Sequence, residues 1–414
     1  MTPPPEPPSG SIASARAALD RVFREEHAVI VGALLRRYGD VDLAEDAAAE
    51  AAEEALRHWP AGGVPANPGA WLTTTAKRKA LDRLRRESTR PAREQESIAM
   101  RAHDELPLGV IDDDRLRLLF LCCHPALALD TRVPLTLRLV SGLTVAEIAA
   151  ALLVEERALA QRITRAKRKI RDAHIAFRIP ERADLHARVG GVLASLYLLF
   201  NEGYLTHTDA EAVRDDLCVE AVRLTRLLRD LVPGDPEVEG LLALLLLTQA
   251  RRPARLGGSG LVLFEDQDRT AWDGPMLVEG LGLATSLLEA PGAPGPYRIL
   301  ATIAATHASA PPEGVDWRIV VALYDRLMEV GATPVVALNR AVAVSHVDGP
   351  AAALALVDRL PLDGYPPFHV VRADLLERLG RLTDARDALA SALTLVRNRL
   401  ERAHLETRLR ELTG

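Results

Sequence analysis

Residues 144–171 leave the chain few folding options. Thr144 offers a hydroxyl acceptor and Glu147 follows three residues later, the reciprocal pair that caps a helix N-terminus. Ile148, Ala149 and Leu152 then fall on one face of a short helix. A turn near Leu153–Val154 precedes a second helical pattern running from Glu155 to about Ala173, with Leu159, Ile163, Ala166 and Ile170 at spacings of three and four. Gln161, Arg162, Arg165, Lys167, Arg168, Lys169 and Arg171 fill its polar remainder. A capped short helix, a tight turn and a basic amphipathic helix are the parts of a helix-turn-helix. Residues 131–180 hold ten Lys/Arg against four Asp/Glu, which suits a phosphate backbone better than an ordinary helical bundle. Arg157 and Gln161 sit where base edges can be reached; Arg165, Lys167, Arg168 and Lys169 are placed for phosphates.

The residues before this motif also read as helices. A first helix is expected from near Ser14, with Leu19, Val22, Phe23, His27, Ile30, Leu34 and Leu35 inward, ended by Gly39. Asp42 is expected to cap a second, acidic and alanine-rich helix, with Glu45 as its box partner and Pro60 as its stop. The acidic stretch Glu45–Glu54 is either a solvated face or a contact for a basic groove on a protein partner. After the glycine- and proline-containing residues 61–70, Trp71 opens a basic helix carrying Lys77, Arg78, Lys79, Arg83, Arg85, Arg86 and Arg90 over an apolar stripe of Trp71, Leu72, Ala76, Ala80, Leu81 and Leu84. That charge run is either a wet surface or a second phosphate contact, and Trp71 could stack on an unpaired base.

Ala, Leu, Arg and Glu dominate while β-branched and aromatic residues are sparse, so an all-α chain is expected. The net charge of −6 by itself argues against a nucleic-acid binder, but it is unevenly spread. Residues 1–180 hold 27 Lys/Arg against 25 Asp/Glu; residues 181–414 hold 24 against 32. Two jobs in one chain follow. The divisions expected are a disordered tail at 1–12, a helical domain at 13–92, a linker at 93–112, the helix-turn-helix domain at 113–180, a helical extension at 181–330 and paired helical repeats at 331–414. The repeat shows in Ala341 and Ala373, 32 residues apart, and in Gly349 and Gly380, 31 apart, near the period of a tetratricopeptide array.

Other classes are excluded more briefly. Cys122, Cys123 and Cys218 have no ligand spacing and read as reduced core residues. There is no signal-peptide pattern and no run of eighteen apolar residues, so a cytoplasmic location without a membrane role is expected. No HExxH, P-loop or GxGxxG is present, and catalytic residues, cofactor and metal are expected to be none. Glu265, Asp266, Asp268 and Asp273 around Trp272 read as a capping loop more readily than as a metal site. Tyr204 and His207 are weak candidates for a ligand pocket.

Taken together, RVFREEHAVIVGALLRRYGDVDLAEDAAAEAAEEALRHWP followed by NPGAWLTTTAKRKALDRLRRE resembles region 2 of an extracytoplasmic-function (ECF) sigma factor of the sigma-70 family. DTRVPLTLRLVSGLTVAEIAAALLVEERALAQRITRAKRKIRDA resembles region 4, and the linker stands where that family lacks region 3. FNEGY, DLCVEAVRLTRLL, PEVEGLLALLLL, QDRTAWD and LERLGRLTDARDAL are similar to the group with a long tetratricopeptide-like extension. The resemblance implies an all-α fold: a region 2 helical bundle, a region 4 helix-turn-helix and a C-terminal helical module. It implies RNA polymerase core (its β′ coiled-coil and β flap) and promoter DNA as partners, and a protein or small-ligand regulator at the C-terminal module. Asp42, Glu45, Asp46, Glu50 and Glu53 would face polymerase. Trp71, Lys77, Arg78, Lys79, Arg83, Arg85 and Arg86 would meet the −10 element. Thr144, Arg157, Gln161, Arg162, Arg165, Lys167, Arg168 and Lys169 would meet the −35 element. Residues 61–70 carry little base-reading chemistry, and Ala158-Leu159-Ala160 gives the reading helix a bland start. The alternatives are a helix-turn-helix regulator acting outside the polymerase, and a repeat scaffold with an incidental basic domain.

Overall fold

A computed structural model describes residues 9–87, 113–152, 154–180, 182–204, 215–257, 260–262, 266–311, 314–396 and 399–412. Its regular structure is helical, apart from a two-residue antiparallel pairing of Leu256 with Leu261 and Gly257 with Gly260. Two compact units divide the chain, residues 1–198 and 199–414.

The first unit contains α1 (Ser9–Tyr38), α2 (Val41–Gly62), α3 (Pro68–Glu87), α4 (Asp114–Cys122), α5 (Leu129–Leu139), α6 (Val145–Ala151), α7 (Glu156–Asp172) and the first part of α8 (Arg182–Tyr204). Helix α1 starts at Ser9, ahead of the expected Ser14, because nothing after Pro8 breaks it. Of the expected 1–12 tail, residues 1–8 lie outside the described residues, as does the 93–112 linker. Gly39, at φ 71°, closes α1 and donates to Leu35 O at 2.8 Å.

The next residue corrects an expectation. Asp40, not Asp42, caps α2: its backbone is extended and its carboxylate accepts from Leu43 N at 2.9 Å. Glu45 is thereby released from any capping role. Pro60 does not stop α2 either. It forfeits one backbone bond in the last turn, and Gly63, at φ 78°, closes the helix by donating to Trp59 O. In α3, Leu72, Ala76 and Ala80 are buried as expected, whereas Leu81 is 38% exposed and lies off the core stripe.

The expected boundary at 180/181 does not coincide with the division between the units. The start of α8 packs on the helix-turn-helix domain: Ser195 Oγ lies 3.4 Å from Thr136 Oγ1, and Gly191 faces Cys123. Cys122 and Cys123 are buried there as free thiols, and burial pushes Cys123 up to about 11.

The second unit continues with α9 (Asp215–Leu231), α10 (Pro236–Ala250), α11 (Gly274–Leu288), α12 (Pro296–Ala308), α13 (Trp317–Gly331), α14 (Pro334–Val347), α15 (Pro350–Val357), α16 (Pro366–Arg378), α17 (Leu382–Leu395) and α18 (Arg399–Glu411). Helix α12 packs chiefly on α10, and from α13 onward each helix packs chiefly on its sequence neighbours, as in a solenoid. The repeat is visible in three dimensions: Ala341 and Ala373 are both fully buried, as are Ala353 and Ala385, and Gly349 and Gly380 both take a positive φ before the second helix of a pair. A fully buried alanine lets paired helices approach closely, and a glycine permits the left-handed turn between them.

Candidate nucleic-acid interface

The helix-turn-helix is α6 and α7. Thr144 caps α6 with its hydroxyl, accepting from Glu147 N at 3.2 Å, while the Glu147 carboxylate accepts from Thr144 N at 2.7 Å. The Thr144 side chain is therefore occupied by the cap. The turn closes with Val154 N donating to Ala149 O at 3.0 Å. Glu155 caps α7, its carboxylate accepting from Arg157 N and Ala158 N. Sequence reading placed Glu155 inside the helix and missed this role.

Leu159, Ile163, Ala166 and Ile170 are buried, and that burial fixes which side of α7 faces water. Arg157, Gln161, Arg165, Arg168 and Lys169 are exposed. Arg157, Gln161 and Arg165 line one open surface recess together with Ala160 and Thr164. Thr164 was not singled out from sequence. Its position one turn beyond Ala160 is the signal that would have found it. A hydroxyl and a methyl between two guanidiniums and a carboxamide supply donors, an acceptor and an apolar contact, the set that a major groove reads.

Two members of the basic set are elsewhere. Lys167 Nζ lies 2.6 Å from Glu45 and 3.4 Å from Asp42, both on α2. Arg162 stands on the flank of α7, 3.9 Å from Asp130. Arg171, just beyond the named set, pairs with Asp42 at 3.0 Å.

The second basic surface is α3. Lys77, Arg78, Arg85 and Arg86 are exposed, and Arg86 donates to Asp82 O within the helix. Lys79 and Arg83 turn inward instead, pairing with Glu54 at 2.8 Å and Asp46 at 2.5 Å and tying α3 to α2. Trp71 is half-buried, in an edge-to-face contact with Trp59 at 5.7 Å.

The acidic set of α2 divides the same way. Asp42, Glu45 and Asp46 are engaged within the unit, whereas Glu50 and Glu53 have no ion-pair partner among the described residues. Glu45 is buried and its carboxylate is held below its ordinary range despite burial, by Lys167 and by Arg138 at 2.5 Å. Beside it, His27 is buried on α1 against Gly142, and burial together with Arg138 pulls it down to about 4. Neither Arg138 nor His27 stood out in the sequence as more than a core or surface residue.

Among the described residues no group of His, Cys, Asp and Glu could hold a metal, and no helix is long and apolar enough to cross a membrane. Asp268 caps a short 3-10 turn, accepting from Thr270 N, and Asp273 caps α11, accepting from Met276 N. Glu265 and His207 lie outside the described residues. Tyr204 carries the Arg255 guanidinium 3.6 Å above its ring.

Comparison with known proteins places these elements. Residues 22–90 match the Sigma-70 region 2 family and residues 117–170 the Sigma-70, region 4 family. Residues 188–287 match a family of unknown function (DUF6596). The chain is 44% identical over 395 residues to an uncharacterized protein of Rhizobium meliloti, covering 93% of each chain. It is 30% identical over 203 residues to a Mycobacterium tuberculosis protein named "Probable ECF RNA polymerase sigma factor SigI", covering 45% of this chain and 69% of that one, with the same figures in a second strain. No solved structure gives a significant match.

Proposed function

The chain belongs to the ECF family of sigma-70 transcription factors, and from that membership we propose that it recruits RNA polymerase core to promoters, reading a −35 element with α7 and a −10 element with α3. The observation that carries this is the exposed row Arg157, Gln161, Arg165 and Arg168 on a helix whose opposite side is core. Such a row enters a major groove with Arg157 and Gln161 aimed at base edges, while Arg165 and Arg168 reach the phosphates together with Lys169 and Arg162 on the flanks. On α3, Lys77, Arg78, Arg85 and Arg86 supply a sequence-independent hold on the second element. Glu50 and Glu53 on α2 offer acidic contacts to the polymerase β′ coiled-coil. The chain supplies positioning, and nucleotidyl transfer belongs to the polymerase. The second unit modulates this activity through a protein or small-ligand regulator.

Run-off transcription tests the reading. The full chain, added to core polymerase with templates selected by binding, is expected to yield a discrete start. A chain that binds duplex DNA but neither co-purifies with core polymerase nor starts transcription is a regulator acting outside the holoenzyme, and that result overturns the proposal.

A further inference from the structure

The second unit holds a cluster of cations that DNA and polymerase binding leave unassigned. Arg251 follows α10, Arg255 ends the short helical turn after it, and Arg269 lies in the 3-10 turn before α11. Two aromatic rings gather them. The Arg251 and Arg269 guanidiniums lie 5.8 and 5.5 Å from the centre of the Trp272 indole, and that of Arg255 lies 3.6 Å from the centre of the Tyr204 ring. Trp272 is buried, Arg251 and Arg255 are half-buried, and Arg269 is exposed. Each guanidinium also donates to a neutral oxygen: Arg251 Nε to Gln267 Oε1 at 3.3 Å, Arg255 to Tyr204 O and Arg269 to Ala310 O, both at 2.6 Å. Carboxylates of the neighbouring segments are committed elsewhere. Asp215 takes Arg252 at 2.5 Å and Gln249 at 2.7 Å, Asp268 caps the 3-10 turn and Asp273 caps α11. Glu401, on α18, acts on Arg255 through space. Positive charge therefore accumulates. Arg251 is held below the ordinary arginine range by burial and by Arg255 and Arg269, with Tyr204 opposing. His307 is pulled down to about 4, first by burial and then by Arg251 and His346.

From this geometry we infer that Arg251, Arg255 and Arg269 form a binding site for the phosphoryl group of a small molecule, with Trp272 and Tyr204 as its walls. Stacking on a ring occupies the flat face of a guanidinium and leaves its in-plane N–H edge, which grips an oxyanion bidentately. Clustered cations repel one another, and an anion seated among them removes that repulsion. A phosphoryl group brings a charge of about −2 and three acceptor oxygens, whereas a carboxylate brings half the charge and two. Three guanidiniums match the first. The site deepens the reading of the second unit as the seat of a small-ligand regulator, and its regulatory consequence rests on that reading; the binding itself does not.

Pyrophosphate and inorganic phosphate are the probes, titrated without divalent cations and at constant ionic strength. The protein is the full chain carrying Trp59→Phe and Trp71→Phe, which leaves Trp272 and Trp317 as the fluorophores. Pyrophosphate is expected to change the emission saturably and to raise the urea midpoint of the second-unit melt. Arg251→Gln should weaken that binding at least about tenfold, through the loss of charge-assisted hydrogen bonds. Arg165→Ala with Lys169→Ala, which removes exposed cations of the first unit, should leave it unchanged. Where Arg251→Gln unfolds the chain, Arg269→Gln, at an exposed side chain, carries the same expectation. No saturable response to either probe at millimolar concentration overturns the proposal, as does equal binding by the parent and the Arg251→Gln or Arg269→Gln chain. A response to an oligoglutamate peptide with none to pyrophosphate makes the site one for an acidic peptide and also overturns the phosphoryl assignment. Failure of the unaltered chain to start transcription with core polymerase removes the sigma reading instead, and the fluorescence titration still decides whether the site binds.

Discussion

Acidification is expected to unfold the first unit through His27. The ordinary imidazole titrates near 6.5, and in the folded chain His27 is pulled down to about 4, first by burial and then by Arg138, with Glu45 opposing. Its Nδ1 has no hydrogen-bond partner among the described residues, so protonation there gains nothing to offset the lost hydration. Between pH 6.5 and 4 the unfolded chain binds the proton and the folded chain resists it. Stability is therefore full above pH 6.5 and falls as pH drops toward 4. The loss amounts to about 2 kcal/mol by pH 5 and about 3 kcal/mol by pH 4. Glu45, held low by Lys167 and Arg138, adds a loss of the same sign as it protonates. The assay is urea unfolding in a Trp272→Phe/Trp317→Phe background, where only Trp59 and Trp71 fluoresce and the melt reads the first unit alone. His27→Gln should flatten most of the fall between pH 6.5 and 5. An unchanged pH slope in His27→Gln, or an imidazole that titrates near 6.5 by NMR, would refute the reasoning.

Other perturbations separate the roles of neighbouring charges and core residues. Glu45→Gln leaves Arg138 and Lys167 facing each other and should cost about 2–3 kcal/mol, discounted because both cations keep some water contact; a loss below about 0.5 kcal/mol in the same melt would mean the pair is a surface contact. Arg165→Ala with Lys169→Ala should weaken promoter binding across sequences and reduce the slope of log K against log salt by about 1.8, measured by titration at several salt concentrations; an unchanged slope counts against phosphate contacts. Ile163→Ala removes a buried side chain from under the reading helix and should cost about 2–4 kcal/mol and much of the DNA affinity, whereas Thr164→Ala should alter base preference with little change in the melt.

How much was legible in the sequence differs from element to element. The inward faces were legible because helix periodicity is a local property: Leu159, Ile163, Ala166 and Ile170 recur every turn, and any bundle that buries one buries all four. The Thr144–Glu147 cap and the repeated Gly349 and Gly380 were legible for the same reason, since each depends on residues a few positions away. The cap of α2 was misread because Asp40 and Asp42 are equally good cap residues; only the positive φ of Gly39 decides between them, by setting Asp40 extended.

Charge was harder to read than hydrophobicity. An apolar residue has one destination, the core, but a carboxylate can meet water, a cap, a partner protein or a cation distant in the chain. Residues 144–171 alone determined that this chain carries a helix-turn-helix with a basic outer face. Only the tertiary structure decided which of its cations remain available. Lys167 and Lys169 look alike within the basic run from Arg165 to Arg171, yet a helix turns by about 100° per residue. That rotation leaves Arg165, Arg168 and Lys169 toward solvent and carries Lys167 and Arg171 onto Asp42 and Glu45, more than a hundred residues earlier in the chain.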